Sequence, residues 1–254
     1  MYIKASSLNI WGTQLTIKDY HSNKEKIYLE KLSLLIKDNE KKLDPDCFYQ
    51  ENSRCKTNDS NSEIDNIASL MKKETMGHFD VSYSGVRDFG GIAQGFILEK
   101  FKKRHLNKDD DLLVDFGKDF LLTGKSKKKI TLSEPTMPLL PFGSIVIQDG
   151  SILSSWSKAY GGKYHSKQDS DFVFVVLKGE LDFSITRLDA WSSALILGGK
   201  ALLKHLTSKK EYLNKWKYVY LDRKSNQLVC SKSVLCKKGH NSIYEIDFTK
   251  QGSK

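Results

Sequence analysis

A chain of 254 residues with 39% hydrophobic and 11% aromatic side chains carries enough apolar material for a packed core, which excludes a disordered protein. Its formal net charge of +10 is scattered through mixed-sign segments such as KDNEKKLD (38–45) and LEKFKKRHLNKDDD (98–111), with no basic–aromatic platform, so no nucleic-acid partner is expected. No apolar run has the length of a transmembrane segment, and the start MYIKASSLNIWG lacks a secretory-type apolar core; the expected location is cytoplasmic if Met1 is the native start, and periplasmic or membrane-anchored if a leader was removed.

In chain order, NIWGTQLTIKDY (9–20) alternates as a strand does, with a break at Gly12-Thr13. Residues 22–40 place Ile27, Leu29, Leu32, Leu35 and Ile36 at roughly helical spacing. The polar stretch at 50–62 reads as an exposed loop, and EIDNIASLMKKET (63–75) as a second amphipathic helix stopped by Gly77. DFGGIAQGF (88–96) opens a third helix that runs to about Arg104. Short strands follow: LLVDF, FLLTG, KITLSE, SIVIQ, SILSS, FVFVVLK and LDFSIT, with KSKKK (125–129) as a solvated hairpin turn. The apolar helix LDAWSSALILGGKALLKHL (188–206), broken at Gly198-Gly199, interrupts them before KYVYLD (217–222) and SIYEID (242–247). Early helices and late strands predict an α+β fold with largely antiparallel sheets, in a single domain spanning 1–254. Cys47, Cys55, Cys230 and Cys236 form no CxxC pair, so zinc is not expected, while two disulfides are possible.

Two stretches carry chemistry. The glycines of DFGGIAQGF precede a helix, where backbone can come close to a ligand and free N–H groups favour anions such as a diphosphate. A tight strand-to-helix turn with no ligand explains the same residues. Neither the dinucleotide fingerprint nor the P-loop matches: Gly90, Gly91 and Gly95 have the wrong spacing, and Asp119 stands where a P-loop ending at Gly124-Lys125-Ser126 needs its first glycine. In RLDAWSSAL (187–195), Asp189 and Ser193 share a helix face, a carboxylate and hydroxyl suited to Mg²⁺. The alternative is structural, since Thr186 and Asp189 have the spacing of a helix N-terminal cap.

Together the motifs resemble the ApbE family, the flavin transferases that attach FMN from FAD to other proteins. WGT (11–13) is similar to the family's Met-Gly-Thr, and GHFDVS (77–82) to its Gly-x-Phe-Asp-Pro-Thr. DFGGIAQGFILEK stands at its Asp-x-Gly-x-Ile-Ala-Lys-Gly-Tyr, LVDFGKD (113–119) at its Gly-Gly turn and ILSSWSKAYGG (152–162) at its Thr-Ser-Gly segment. LDAWSSALILGG (188–199) resembles its Asp-Ala-x-x-Thr-Ala helix. The resemblance implies an ApbE-like fold, FAD as substrate and Mg²⁺ held by the carbonyl of Gly91, the carboxylate of Asp189 and the hydroxyl of Ser193. It also implies flavin contacts from Gly12, Thr13, Phe79, Asp80, Gly90, Gln94, Gly117 and Lys118, and an acceptor protein whose Thr or Ser hydroxyl takes FMN with release of AMP.

The departures fall on the chemical parts. Gln94 replaces the family's lysine, Lys118 its second glycine, Trp156 the glycine of Thr-Ser-Gly and Ser193 the metal threonine. Of the family's His-x-x-Asp-Pro-x-Thr-Gly, only YHSKQ (164–168) remains; His165 is either its remnant, and a catalytic group beside Asp189, or a surface histidine. Two readings follow: an FMN transferase, with FAD hydrolysis to FMN and AMP as a side activity, or a weakened or inactive flavin-binding homologue.

Overall fold

Trp11 and Gly12 both have positive φ (50° and 68°), the twist a two-residue hairpin turn requires. They join β1 (Lys4–Ile10) to β2 (Thr13–Asp19), which pair antiparallel with Ile10 opposite Thr13. The expected break inside one strand is thus the tip of a hairpin. The computed structural model describes residues 3–43, 63–82, 88–107, 109–117, 119–134, 137–156, 170–212, 214–238 and 244–249. Two compact units are built from them, Met1–Gly124 with Ser184–Trp191, and Lys125–Phe183 with Ser192–Lys254.

In the first unit, β2 pairs with β3 (Leu112–Phe116) and β3 with β4 (Asp119–Leu122), all antiparallel. Helix α1 (Glu25–Leu43) packs on β2 and on α3 (Ala93–His105), burying Tyr28, Leu32, Leu35 and Ile36. The Tyr28 ring meets Phe101 edge-on, with centroids 6.1 Å apart. Ile27, expected in the apolar stripe, is 50% exposed; Tyr28 takes the buried place one residue along. Helix α2 (Glu63–Glu74) buries Ile64, Ala68 and Met71. It ends with the Gly77 N–H on Lys72 O and the Met76 N–H on Lys73 O, and Met76 (φ 54°) and Gly77 (φ 82°) both take left-handed backbone just past the helix.

In the second unit, β7 (Gly150–Trp156), β8 (Phe172–Gly179), β9 (Trp216–Asp222) and β10 (Leu228–Cys230) pair antiparallel in that order. A separate sheet runs β11 (Leu235–Lys238), β12 (Tyr244–Asp247), β6 (Met137–Ile147), β5 (Lys128–Glu134), with β12 parallel to β6. Cys230 and Cys236 form a disulfide between β10 and β11. The predicted hairpin turn at KSKKK is not one: β5 begins at Lys128, pairs with β6 and buries the stem of Lys128.

LDFSIT is not a strand either. The Phe183 N–H donates to Glu180 O in a turn, and helix α4 (Ile185–Thr207) starts at once. Gly199 (φ 56°, ψ −149°) interrupts α4 at the expected glycine break. The Asp171 carboxylate accepts the Lys200 N–H there and occupies the space a side chain at 199 would need. The chain is α+β with mostly antiparallel sheets, as its sequence predicts.

Candidate functional site

Helix α3 starts without a side-chain cap: Ile92, at its N-cap position, supplies none. One of its orphan donors is met from far along the chain. The Gly95 N–H donates to Asp189 Oδ2 at 2.8 Å, across a separation of 94 residues. The helices can approach this closely only because residue 95 is glycine. A Cβ there would lie 2.6 Å from Asp189 Cβ and 2.9 Å from Ile185 O.

Asp189 therefore does cap a helix, but α3 rather than its own. At the start of α4 the Ser184 hydroxyl accepts the Arg187 N–H. Glu99 Oε2 accepts the Thr186 N–H and the hydroxyls of Ser184 and Thr186, at 3.0, 2.7 and 2.8 Å. Burial opposes ionisation of Glu99, yet these bonds and Lys103 outweigh it and hold the carboxyl below its ordinary range. The cap spacing that Thr186 and Asp189 share is satisfied without Asp189.

Burial pushes the Asp189 carboxyl up to about 7, against the Gly95 N–H, which favours the charged form. A cation beside it would offset that cost. On α4, Ser193 stands one helical turn beyond Asp189 and is itself buried. A carboxylate, a hydroxyl and a backbone carbonyl are hard-oxygen donors of the kind Mg²⁺ takes, so the residue types fit it. Among the described residues no group of three or more His, Cys, Asp or Glu is arranged to hold a metal.

Gly90 and Gly91 form the turn into α3. The Gly90 N–H donates to Asp88 Oδ1 at 2.7 Å, and Gly91 is buried. Gln94, in the first turn of α3, converges with Thr13 on Gly117. A Cβ at 117 would lie 2.7 Å from Gln94 Nε2 and 2.8 Å from Thr13 Oγ1, and the φ of 64° at Gly117 already favours glycine. The Gly117 N–H donates to Gln14 O, closing the β2–β3 end under those side chains. Phe79 is buried, its N–H on the Thr75 hydroxyl. Lys72 pairs with Asp80 at 2.6 Å and, with the Ser82 N–H, holds its carboxyl below the ordinary range against partial burial. Lys118 and His165 lie outside the described residues.

The structure thus brings Thr13, Gln94 and Gly117 together, and joins the glycine stretch to Asp189 through Gly95. Sequence reasoning missed Gly95 as a contact, although a glycine inside an otherwise apolar helical face is the mark of close packing. It also missed Trp11, whose ring centroid lies 5.6 Å from that of Phe116, and the buried hydroxyl pair Ser155–Ser192 at 2.9 Å. In β7, Trp156 fills its site by packing on Phe174 at 5.0 Å, a use of this position that no glycine could make.

No family model matches the chain, and no curated protein matches it by sequence. Solved structures do. The ApbE protein from Thermotoga maritima has a TM-score of 0.67 at 16% identity, over 91% of this chain and 97% of that one. Flavinyl transferase ApbE from Pseudomonas stutzeri, in its apo form, gives 0.63 at 14% over 91% and 94%. Flavin transferase ApbE from Vibrio cholerae gives 0.63 at 13% over 91% and 98%. Across nearly its whole length, at identities that leave only the fold in common, the chain has the ApbE-like fold.

Proposed function

We propose that residues 1–254 form one ApbE-like domain that acts as a Mg²⁺-dependent FAD:protein FMN transferase, moving FMN to a Thr or Ser hydroxyl of an acceptor protein. The observation that carries this reading is the Gly95–Asp189 hydrogen bond at 2.8 Å, which ties the glycine-rich helix entrance to the one buried carboxylate of the motif. Bound Mg²⁺ would supply electrophilic stabilisation of the diphosphate and of the AMP leaving group. Gly91 O, the Asp189 carboxylate and Ser193 Oγ are the groups proposed to hold it.

The protein's own residues do the rest. The first turn of α3 turns the positive end of its helix dipole toward the diphosphate, while its Ala93 and Gly95 N–H groups are already bonded to Phe89 O and Asp189 Oδ2. Gln94 adds an uncharged amide donor above Gly117. Thr13, Gly12, Gly90, Gly117, Lys118, Phe79 and Asp80 are proposed to line the flavin site. The acceptor hydroxyl forms a bond to the FMN phosphorus as the bond to AMP breaks, and its proton goes to a base for which Asp189 and His165 are the proposed groups. Water in place of the hydroxyl gives FMN and AMP.

One observation favours a second reading, a flavin-binding homologue of low activity. Gln94 brings no positive charge to the phosphates where the family has lysine. The deciding experiment is incubation of the purified chain with FAD and Mg²⁺, with and without a peptide carrying a flavinylation threonine, following AMP, FMN and flavinated peptide by chromatography. Flavinated peptide that disappears in EDTA establishes transfer. FMN and AMP alone mean hydrolysis, and FAD binding without products means the low-activity homologue.

A further inference from the structure

Strand β1 is an edge strand: β2 lies on one side of it and, among the described residues, no strand on the other. Which of its main-chain groups are open follows from the hairpin. In a two-residue hairpin the residues flanking the turn bond to each other, and bonded pairs recur at every second position. Ile10 faces Thr13, so Ile10, Leu8, Ser6 and Lys4 use their N–H and C=O groups on β2. Asn9, Ser7 and Ala5 turn theirs outward. The neighbouring strand agrees with this phase: Asn9 faces Gln14, whose carbonyl accepts the Gly117 N–H on the β3 side. All three outward residues are exposed.

Such an edge is a template for another chain, and proteins commonly blunt it with a bulge, a proline or charges. Along β1 the pairing with β2 runs without a register shift, there is no proline, and the one charged residue is Lys4, at the end far from the turn. On the face shared with Leu15 and Ile17, Leu8 is 39% exposed, an apolar seat for one side chain of an added strand. The near end of the edge stops at the proposed site. β1 runs into Trp11-Gly12, and Thr13, across the turn from Ile10, holds its hydroxyl at Gly117 beside Gln94. A strand added to β1 would lie about 10 Å from β2, two strand spacings, a distance that three extended residues at about 3.3 Å each cover.

We propose that the β1 edge binds the acceptor protein by taking an extended segment of it as an additional strand. Ala5, Ser7 and Asn9 supply the main-chain bonds, and the acceptor's Thr or Ser is led past the hairpin tip to the flavin phosphate. This rests on the transferase reading given above. The occupant is an acceptor segment rather than a second copy because the edge ends at the site. A short strand with one half-open leucine also offers little toward the roughly 1,200 Å² that a stable dimer buries, whereas an acceptor has to stay only for one transfer.

The test follows flavinylation, with FAD and Mg²⁺, of a synthetic peptide carrying a flavinylation threonine. The peptide is used unmodified, N-methylated on one alternate set of backbone amides, or N-methylated on the other set. In an added strand only one set faces β1. One methylated form is therefore expected to show a KM raised by roughly tenfold or more, and the other to stay near the unmodified peptide. On the protein, Ser7→Pro removes the middle outward N–H and keeps the bonds to β2, as edge strands allow. Ser7→Ala keeps that N–H and removes only the hydroxyl, which Thr16 shares at 2.9 Å. Ser7→Pro is expected to raise the peptide KM about tenfold with FAD affinity by calorimetry unchanged, and Ser7→Ala to match wild type. If Ser7→Pro fails to fold, the methylated peptides decide alone. Equal KM values for the two methylated peptides, or an unchanged KM in folded Ser7→Pro, overturn the inference and leave the transferase standing. A wild-type dimer in sedimentation that Ser7→Pro dissolves without changing KM gives the edge to a second copy and overturns it too. A wild-type chain that flavinates no peptide overturns the transferase reading and this inference with it.

Discussion

Asp189 accepts the backbone N–H of Gly95 at 2.8 Å, so a side chain on α4 caps the start of α3. The bond gives Asp189 a structural role, which substitution separates from the metal-binding role proposed for it. Asp189→Asn keeps an oxygen for Gly95 and loses the charge. It is expected to stay folded, to show no metal-dependent turnover of FAD and to lose any Mg²⁺-induced rise in melting temperature. Asp189→Ala strands the Gly95 N–H as well, and is expected to lose a further ~1–2 kcal/mol of stability by urea unfolding. If the asparagine variant turns FAD over with Mg²⁺ at the wild-type rate, Asp189 is a cap and nothing more.

Gly95 is the other half of that contact. Gly95→Ala adds a methyl group 2.6 Å from Asp189 Cβ and 2.9 Å from Ile185 O, so the helices must part. Helix propensity alone would make the change favourable by about 1 kcal/mol. Overpacking is the larger effect, and a net loss of about 1–2 kcal/mol is expected in urea unfolding. A variant as stable as wild type would show that the two helices can separate at no cost.

Gln94 stands where the resemblance places a lysine, and its amide lies at Gly117 beside Thr13. Gln94→Lys puts a charged donor near the proposed diphosphate site. FAD affinity is expected to rise by about tenfold, about 1.4 kcal/mol, at low salt and by less at high salt. Calorimetry at two ionic strengths measures both. An unchanged affinity would place the diphosphate elsewhere.

Acid unfolding has an assignable contributor in Asp19. Burial opposes its ionisation, but the Ser22 hydroxyl and the N–H groups of Ser22, His21 and Lys24 outweigh it and hold the carboxyl at about 2. Its folded-state value lies below the unfolded one, so its stabilisation is complete above about pH 4 and is lost as pH falls from about 4 to about 2. Asp222, beside the Lys200 ammonium and Ser225, is also held at about 2 and adds to the same window. Urea midpoints measured from pH 2 to 7 are expected to fall less steeply below pH 4 in Asp19→Asn than in wild type. Parallel curves would assign the acid sensitivity to other groups.

The helices were legible because Leu32, Leu35 and Ile36 recur at the helical period, and the central strands because runs such as FVFVVLK are continuously apolar. LDFSIT misleads for a physical reason. Leu181, Phe183 and Ile185 alternate as in a strand, while Ser184 between them is a helix cap; alternation over six residues does not outweigh one capping hydroxyl held by Glu99. The order of motifs made the ApbE-like fold legible where whole-sequence similarity was too weak. The Gly95–Asp189 bond was not legible, since nothing local to either residue specifies a partner 94 positions away. The Cys230–Cys236 pairing was likewise left open by spacing alone.

The Gly199 break gives α4 two ends in its middle. An unbroken helix of 23 residues would transmit fraying along one hydrogen-bonded ladder, whereas here the ladder is interrupted and the segment beyond Gly199 begins afresh on the Asp171 carboxylate. Amide hydrogen exchange should therefore report two cooperative blocks rather than one. The amides of residues 200–207 can open without loosening the turn that carries Asp189 and Ser193, so disturbance at the end of the helix is kept from its beginning.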